Sequence, residues 1–187
     1  TVRLARQFGF CYGVERAIDL AYAAARVFKG KRIFLLGEII HNPDVNAQMD
    51  AMGIRHLAAH PSDSDLDHLE QDDIVIVPAF GAEVEVIEGV KAKGCQIVDT
   101  TCGDVMSVWK RVRQNATGHI TSIIHGKAAH EETKATASRA LGPDGTGHYL
   151  VVLDLTEAQR VADFITHGGD PSAFLASFKG AHSPGFD

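Results

Sequence analysis

The chain has 187 residues, of which 45% are hydrophobic and 22% are charged, an ordinary composition for a globular protein. Its net charge is −6 and it contains no block of basic residues, which argues against nucleic acid as the main partner. Apolar runs reach only about five residues, whereas a membrane-spanning helix needs about 20, so no membrane segment is predicted.

The three cysteines are Cys11, Cys95 and Cys102. An odd number of cysteines in a chain of this size does not suit a disulfide scaffold. A reducing compartment with thiol or metal chemistry fits better.

The first third of the chain predicts alternating helices and strands. Glycines bracket Cys11 and allow the backbone to turn sharply or to approach a ligand closely. Apolar residues at three- and four-residue spacing then predict a helix over residues 14–28. A buried strand over 33–36, a helix over 44–52 capped by Asn42 or Asp44, and a polar loop over 58–73 follow.

The central stretch presents Cys102 between a strand and a helix. A buried strand is predicted over 74–77, a helix over 82–93, and a strand that ends before Cys102. Ligands of open α/β sheets bind at the carboxyl ends of the strands. Cys102 is therefore either a nucleophile, a redox group or a metal ligand, or a buried small hydrophobe. Cys95 lies at the opposite end of this strand and is interpreted as structural.

The remaining chain continues the same alternation. The helix after Cys102 extends to about residue 115, and a strand over 121–124 leads into a helix that ends near residue 140. A strand over 149–153 precedes a helix that Thr156 is predicted to cap, and a short helical turn is predicted near Phe174.

Alternation of strands and helices predicts an α/β fold with parallel sheets. The chain also contains a repeat: Cys11 is followed after 30 residues by His41, and Cys102 after 28 residues by His130, each histidine ending a Gly-x-x-x-His motif. We therefore predict two small, similar α/β domains, residues 1–95 and 96–187, that meet at a shared cleft.

The repeated residues suggest chemistry but leave alternatives open. Cys11 and Cys102 are either packing residues or a pair of ligands or redox groups, and two thiolates from two domains suit an iron–sulfur cluster. His41 and His130 are either surface residues or hydrogen-bond donors to an anionic ligand. An acidic residue after His130 is either a proton donor in a cleft or simply suited to a helix N-terminus.

Four motifs in combination resemble 4-hydroxy-3-methylbut-2-enyl diphosphate reductases, the last enzymes of the non-mevalonate isoprenoid pathway. They are GFCYGVERA at residues 9–17, EIIHNP at 38–43, VDTTC at 98–102 and HGKAAHEET at 125–133. The forms PAFG at 78–81 and HGK at 125–127 are most similar to the cyanobacterial and plastid branch.

This resemblance implies three α/β domains around a central [4Fe-4S] cluster, to which each domain contributes one cysteine. Cys11 and Cys102 would be two of the three ligands, His41 and His130 would bind the substrate diphosphate, and Glu132 would be the proton-relay carboxylate. The allylic hydroxyl group of the diphosphate substrate would be removed by two electrons and two protons, which yields isopentenyl and dimethylallyl diphosphates. A ferredoxin- or flavodoxin-type protein would donate the electrons, in a bacterial cytoplasm or in a plastid stroma.

Two features depart from the family pattern. Phe80 occupies a position where many members have a diphosphate-binding histidine, a feature shared with the plastid-like branch. The third cysteine and the third domain are absent from these residues, which are therefore expected to hold a cluster poorly by themselves. The alternative functions are a non-catalytic diphosphate- or nucleotide-binding module and a two-cysteine metal or redox protein.

Overall fold

The computed structural model describes residues 1–6 and 8–184, and the chain divides into two compact units, Thr1–Met106 and Ser107–Asp187. The elements of the first part are α1 (Tyr12–Val27), β1 (Ile33–Leu36), α2 (Pro43–Ala51), β2 (Arg55–Leu57), α3 (Asp63–Leu66), β3 (Ile74–Val77), α4 (Val84–Ala92) and β4 (Gln96–Asp99). Those that follow are α5 (Gly103–Thr117), β5 (Ser122–His125), α6 (Glu131–Ala140), β6 (Tyr149–Val152), α7 (Leu155–His167) and α8 (Pro171–Ser177). The predicted α/β class with parallel sheets is confirmed.

The first unit contains a parallel four-stranded sheet in the order β2-β1-β3-β4. Strands β1 and β3 are buried along their whole length, as expected for the central strands of a parallel sheet. Because successive side chains point to opposite faces, Leu35 and Ile76 pack with α1 and α2, whereas Leu36 and Val77 pack with α3 and α4. The core therefore has two layers, one on each face of the sheet.

The second unit has a parallel pair of strands, β5 and β6, within the described residues. Leu150 and Val152 of β6 pack with Val161 of α7 and with Phe178 after α8. Trp109 of α5 donates from Nε1 to Thr136 Oγ1 at 3.2 Å, which ties α5 to α6. The buried Arg139 guanidinium lies 3.4 Å from the centre of the Trp109 ring, a cation–π contact that closes this side of the unit.

The predicted elements are present, with two corrections. The segment predicted as a loop over 58–73 contains α3, which begins at a capping box formed by Ser62 and Asp65. The N-cap of α7 is Asp154 and not Thr156, because the Asp154 carboxylate accepts a hydrogen bond from Glu157 N at 2.9 Å. Strand β2, which no prediction named, lacks a buried apolar run because it is an edge strand with largely exposed side chains.

The position of β4 bears on the domain boundary. Residues 96–99 pair in register with 74–77, so β4 is the fourth strand of the first sheet. The compact units accordingly divide after Met106, within α5, whereas the boundary predicted from the sequence, after residue 95, puts residues 96–99 in the second domain. Strand pairing between distant segments is the physical reason for the difference, since a short apolar run does not specify its neighbour.

Candidate functional site

The predicted ligand-binding edge of the first unit is formed by three loops. These loops follow β1, β3 and β4, which are neighbours in the sheet and run parallel, so all three emerge at its carboxyl edge. They carry His41, Phe80 and Cys102, respectively. A backbone hydrogen bond from Ala79 N to Ile39 O, 3.2 Å long, joins the first two loops.

Cys102 is held by a dense set of hydrogen bonds around its turn. Thr100 donates from both N and Oγ1 to Val77 O, at 3.1 and 2.6 Å. The Asp99 carboxylate accepts from Thr101 N at 2.9 Å and from Thr101 Oγ1 at 2.5 Å. Cys102 N donates to Ala79 O at 3.0 Å, and Cys102 O accepts the first helical hydrogen bond of α5 from Met106 N. The thiol is thereby fixed at the start of α5.

Cys11 occupies the equivalent position on α1. It is the N-cap residue of this helix, its carbonyl accepts a hydrogen bond from Glu15 N at 3.0 Å, and its side chain makes no capping hydrogen bond. Gly9, two residues earlier, has a φ of 109°, so the predicted sharp turn before the cysteine is present. The N-terminus of a helix favours negative charge, and both thiols therefore lie where anionic ligand atoms are stabilised.

The two helix starts lie against each other at Gly13. A β-carbon placed on Gly13 would be 2.4 Å from Cys102 Sγ, so the thiol occupies the space that any larger side chain would take. Since Cys11 is only two residues before Gly13, the structure brings both free thiols to the same end of α1. Arg16, one turn further along α1, donates from its guanidinium to Thr101 O at 3.2 Å and reinforces this contact.

Tyr12 follows Cys11 in the chain and lies close to Cys102 and Asp104 in space. Hydrogen bonding to the Asp104 carboxylate, aided by partial desolvation and by the nearby Cys102, raises the pKa of Tyr12 to about 12. The phenol therefore stays protonated and donates its hydrogen at neutral pH. No sequence pattern marks Tyr12 or Asp104 as functional, although each is adjacent or nearly adjacent to a cysteine.

Cys95 lies at the other end of β4, as predicted. It is half-buried, and its Sγ is 3.5 Å from Glu70 O. Burial raises the pKa of its thiol, and the Asp73 carboxylate raises it further. This environment suits an unreactive, structural cysteine.

His41 is exposed on the loop after β1. Its Nδ1 is 3.0 Å from Glu38 Oε2, and its ring stacks on Phe80 with 4.4 Å between ring centres. The contact with the carboxylate assigns a hydrogen to Nδ1. Phe80 therefore supports the ring of His41 from the position where many members of the resembled family carry a second histidine.

In the second unit, His130 is the N-cap residue of α6. Its Nδ1 accepts a hydrogen bond from Glu132 N at 3.2 Å, which assigns the hydrogen of the neutral ring to Nε2. Gly126 makes the turn possible, because a β-carbon there would lie 2.6 Å from Thr133 Oγ1. His130 and Glu132 are both half-buried and line a cavity of about 630 Å³.

The predicted roles of these residues in binding and catalysis remain predictions. Within the first unit the structure brings Cys11 and Cys102 to the same end of α1 and places His41 on the carboxyl edge of the sheet that also carries Cys102. Within the second unit it places His130 beside Glu132. Across residues 1–6 and 8–184, every helix is too short or too polar to cross a membrane.

Comparison with known proteins assigns the family. A profile of the LytB protein family matches residues 2–175. The 4-hydroxy-3-methylbut-2-enyl diphosphate reductase of Gloeobacter violaceus is 50% identical over 191 aligned positions, which cover 100% of this chain and 44% of the relative. The reductase of the same name from Nostoc is 49% identical and is covered to 45%. The chain thus spans less than half the length of these relatives.

Two solved structures share the fold. One is an (E)-4-hydroxy-3-methyl-but-2-enyl diphosphate reductase described as the terminal enzyme of the non-mevalonate pathway, with a TM-score of 0.66, 29% identity, and coverage of 80% of this chain and 50% of that one. The other is the corresponding reductase from Plasmodium falciparum, with a TM-score of 0.70, 26% identity, and coverage of 81% and 44%. The profile match, the cyanobacterial relatives and the shared fold together show that the chain belongs to the LytB protein family.

Proposed function

We propose that the protein containing these residues reduces 4-hydroxy-3-methylbut-2-enyl diphosphate to isopentenyl and dimethylallyl diphosphates, with an iron–sulfur cluster as the redox group. The observation that carries this proposal is the position of Cys102 Sγ against Gly13, which places two free thiols at two adjacent helix starts. The relatives of full length bear the name of this activity.

The residues present fit such a cluster. Iron–sulfur clusters are held mainly by cysteine thiolates, and neither Cys11 nor Cys102 is engaged in a disulfide. The missing side chain of Gly13 leaves room for sulfur at the point where a larger residue would fill it. Cys11 and Cys102 would supply two ligands, and we assign the remaining ligand to the part of the protein that the longer relatives contain. When bound, the [4Fe-4S] cluster would supply electrons and a Lewis-acidic iron for the substrate hydroxyl.

The histidines are suited to the diphosphate. His130 accepts Glu132 N–H at Nδ1, so the neutral ring carries its hydrogen on Nε2, a donor of the kind that binds a phosphate oxygen. His41 is oriented by Glu38 and Phe80, and its imidazole is a group that can hydrogen-bond a phosphate oxygen. We assign both rings to binding and orienting the diphosphate.

Glu132 is proposed to carry a proton to the reacting end of the substrate. It lies in the first turn of α6 and lines the cavity with His130. The balanced reaction consumes two electrons and two protons: the allylic C–O bond breaks, the oxygen leaves as water, and a new C–H bond forms. A positioned carboxylic acid typically contributes 10²- to 10⁴-fold to such a step.

We assign the electrons to a ferredoxin- or flavodoxin-type donor, since a low-potential cluster requires a low-potential partner. The compartment that we propose is a bacterial cytoplasm or a plastid stroma, where thiols stay reduced. The cyanobacterial origin of the matched relatives supports this assignment.

The decisive experiment measures the iron and acid-labile sulfide content of the protein expressed from its complete reading frame and purified anaerobically. About four of each per chain are expected. Cys102→Ser should lower both and abolish reductase activity, whereas the matched control Cys95→Ser should retain cluster and activity. The opposite result has two parts: the unmodified protein binds no iron or sulfide, and the Cys102→Ser variant keeps the diphosphate affinity of the unmodified protein. That result would indicate a non-catalytic binding module.

The proton-relay role has its own matched pair of variants. Glu132→Gln should keep the cluster and the diphosphate affinity but lower turnover by about 10²- to 10⁴-fold. Glu131→Gln, on the neighbouring residue, should lower turnover much less. Full turnover by Glu132→Gln would remove Glu132 from the mechanism.

A further inference from the structure

Tyr12 is a polar residue next to the candidate ligands to which the proposed function gives no role. It is the first residue of α1 and directly follows Cys11. Its hydroxyl group hydrogen-bonds with the carboxylate of Asp104, in the first turn of α5, and with the side chain of Cys102. One side chain therefore joins the helix start that carries Cys11 to the helix start that carries Cys102.

The backbone of α5 leaves room for the Tyr12 hydroxyl group. A β-carbon placed on Gly103 would lie 3.8 Å from the Tyr12 oxygen, an ordinary van der Waals distance. Gly103 is the residue that separates Cys102 from Asp104. The phenol oxygen thus lies beside the first residue of α5 and reaches both neighbouring side chains from one position.

A second contact from α1 holds the same turn on its other side. The Arg16 guanidinium donates to Thr101 O at 3.2 Å. Thr101 precedes Cys102 in the chain, whereas Asp104 follows it. Side chains of α1 therefore hold the backbone both before and after Cys102.

Core packing does not account for the contact between Tyr12 and Asp104. Tyr12 is 60% exposed, and Asp104 is exposed as well. An exposed hydrogen bond competes with water and contributes only modestly to the free energy of unfolding. The location of the contact, beside Cys102, points to a role toward this thiol instead.

The chemistry of the two side chains suits the surroundings of a metal ligand. Groups that hydrogen-bond to a ligand orient it and tune the metal, and hydrogen bonds to cysteine sulfur help to set the reduction potential of an iron–sulfur cluster. A thiolate can only accept a hydrogen bond, and the Tyr12 hydroxyl group is a donor. Because reduction adds negative charge, a donor to the sulfur of Cys102 favours the reduced state, whereas the nearby charge of Asp104 opposes it.

We propose that Tyr12 is a positioning residue for Cys102, whose hydroxyl group, held by Asp104, orients the Cys102 thiolate as a cluster ligand and favours the reduced state of the cluster. This role rests on the proposed function, since it requires the cluster. The charge of Asp104 acts in the opposite direction on the reduction potential. The pair thus contributes both to the retention of the cluster and to the potential at which it accepts electrons.

The test compares Tyr12→Phe with the unmodified protein, both expressed from the complete reading frame and purified anaerobically. Without the hydroxyl group, iron should be released to a ferrous-iron chelator about tenfold faster. The reduction potential, measured by a titration followed by electron paramagnetic resonance, should become more negative. The matched control Tyr22→Phe removes a hydroxyl group that hydrogen-bonds to Gln48, about 15 Å further along α1, and should change neither property.

The variant Asp104→Asn distinguishes this role from a merely structural one. The amide oxygen still accepts a hydrogen bond from Tyr12, but the negative charge is removed. Iron release should therefore change little, while the reduction potential should become more positive, in the direction opposite to that of Tyr12→Phe. Asp104→Ala removes the acceptor as well and should release iron faster, as Tyr12→Phe does.

Three results would overturn this role for Tyr12. An unchanged reduction potential in Tyr12→Phe would do so whatever the rate of iron release, and would leave the proposed function intact. Shifts of the potential in the same direction in Tyr12→Phe and Asp104→Asn would indicate only a general loosening of the site. An unmodified protein that binds no iron or sulfide would overturn the proposed function, and the role of Tyr12 with it.

Discussion

At Gly13 a single hydrogen atom in place of a side chain sets the arrangement of the candidate site. Glycine inside a helix is unfavourable by about 1 kcal/mol relative to alanine, so its presence in the first turn of α1 has a local cost. The compensation is the close approach of Cys102 Sγ to the helix backbone. The position of the Cys102 thiol relative to Cys11 therefore depends on Gly13, a residue without a reactive side chain.

The variant Gly13→Ala separates the helix-forming tendency of residue 13 from the space that it leaves for Cys102 Sγ. The added methyl group would lie 2.4 Å from Cys102 Sγ and displace it, so iron content after reconstitution should fall severalfold in the full-length protein. The free energy of unfolding should change by no more than about 1 kcal/mol, since alanine favours the helix. Gly89→Ala in α4, where the added methyl group meets only the end of the Leu66 side chain, should leave iron content unchanged.

The cysteines also differ in reactivity at the residue scale. Cys11 is exposed, whereas burial and the Asp73 carboxylate raise the pKa of the Cys95 thiol. Alkylation of the metal-free protein by iodoacetamide at pH 8, followed by peptide mass spectrometry, should modify Cys95 at least about tenfold more slowly than Cys11. Equal rates at the two sites would contradict the structural interpretation of Cys95.

At the scale of elements, helix starts position most of the candidate residues. Cys11 and His130 are N-cap residues of α1 and α6, and Cys102 directly precedes α5. The same backbone N–H groups that make a helix N-terminus favourable for anions serve thiolate and phosphate alike. Helix N-termini, repeated along the chain, thus position both the candidate cluster-binding cysteines and the candidate diphosphate-binding His130.

The capping of α7 gives a direct test of element assignment. The Asp154 carboxylate accepts from Glu157 N at 2.9 Å, so Asp154→Ala should lower the free energy of unfolding by about 1 kcal/mol in urea denaturation. Thr156→Ala, at the residue that the sequence pattern suggested as the cap, should change it by only a few tenths of a kcal/mol. The reverse order of effects would show that the helix begins later.

At the scale of the whole molecule, several surface carboxylates are stabilised in the folded state. A hydrogen bond from Lys93 lowers the pKa of Asp67, and hydrogen bonds from Ser62 and Thr146 lower the pKa of Asp65 and Asp144, respectively. A carboxyl group with a lowered pKa in the folded state binds fewer protons there than in the unfolded chain. Its stabilising contribution is therefore present above the usual carboxyl pKa of about 4 and is lost as pH falls below it.

The melting temperature should consequently decrease as pH falls from about 5 toward 2. Asp67→Asn should make this decrease shallower, and Lys93→Gln should do the same because it removes the cause of the shift. The double variant should match either single variant, since both remove one interaction. Calorimetry across this pH range measures all four slopes.

Local patterns explain why so much of the fold was predictable. The apolar runs at 33–36 and 74–77 and the helical spacing after Cys11 specify strands and helices by themselves, because each is a property of a few consecutive residues. Edge strand β2 and the single-turn helix α3 were missed because neither has a buried apolar pattern of its own. The N-cap of α7 was misplaced by two residues, an error typical of helix boundaries.

The sequence by itself determined the alternation of parallel strands and helices, the two Cys-to-His repeats and the position of their residues at strand ends and helix starts. Only the tertiary structure decided that β4 joins the first sheet, that Phe80 stacks on His41, and that Cys102 lies against Gly13. These facts join segments far apart in the chain. They follow from which strands pair and how closely backbones approach, and no local pattern of residues encodes either property.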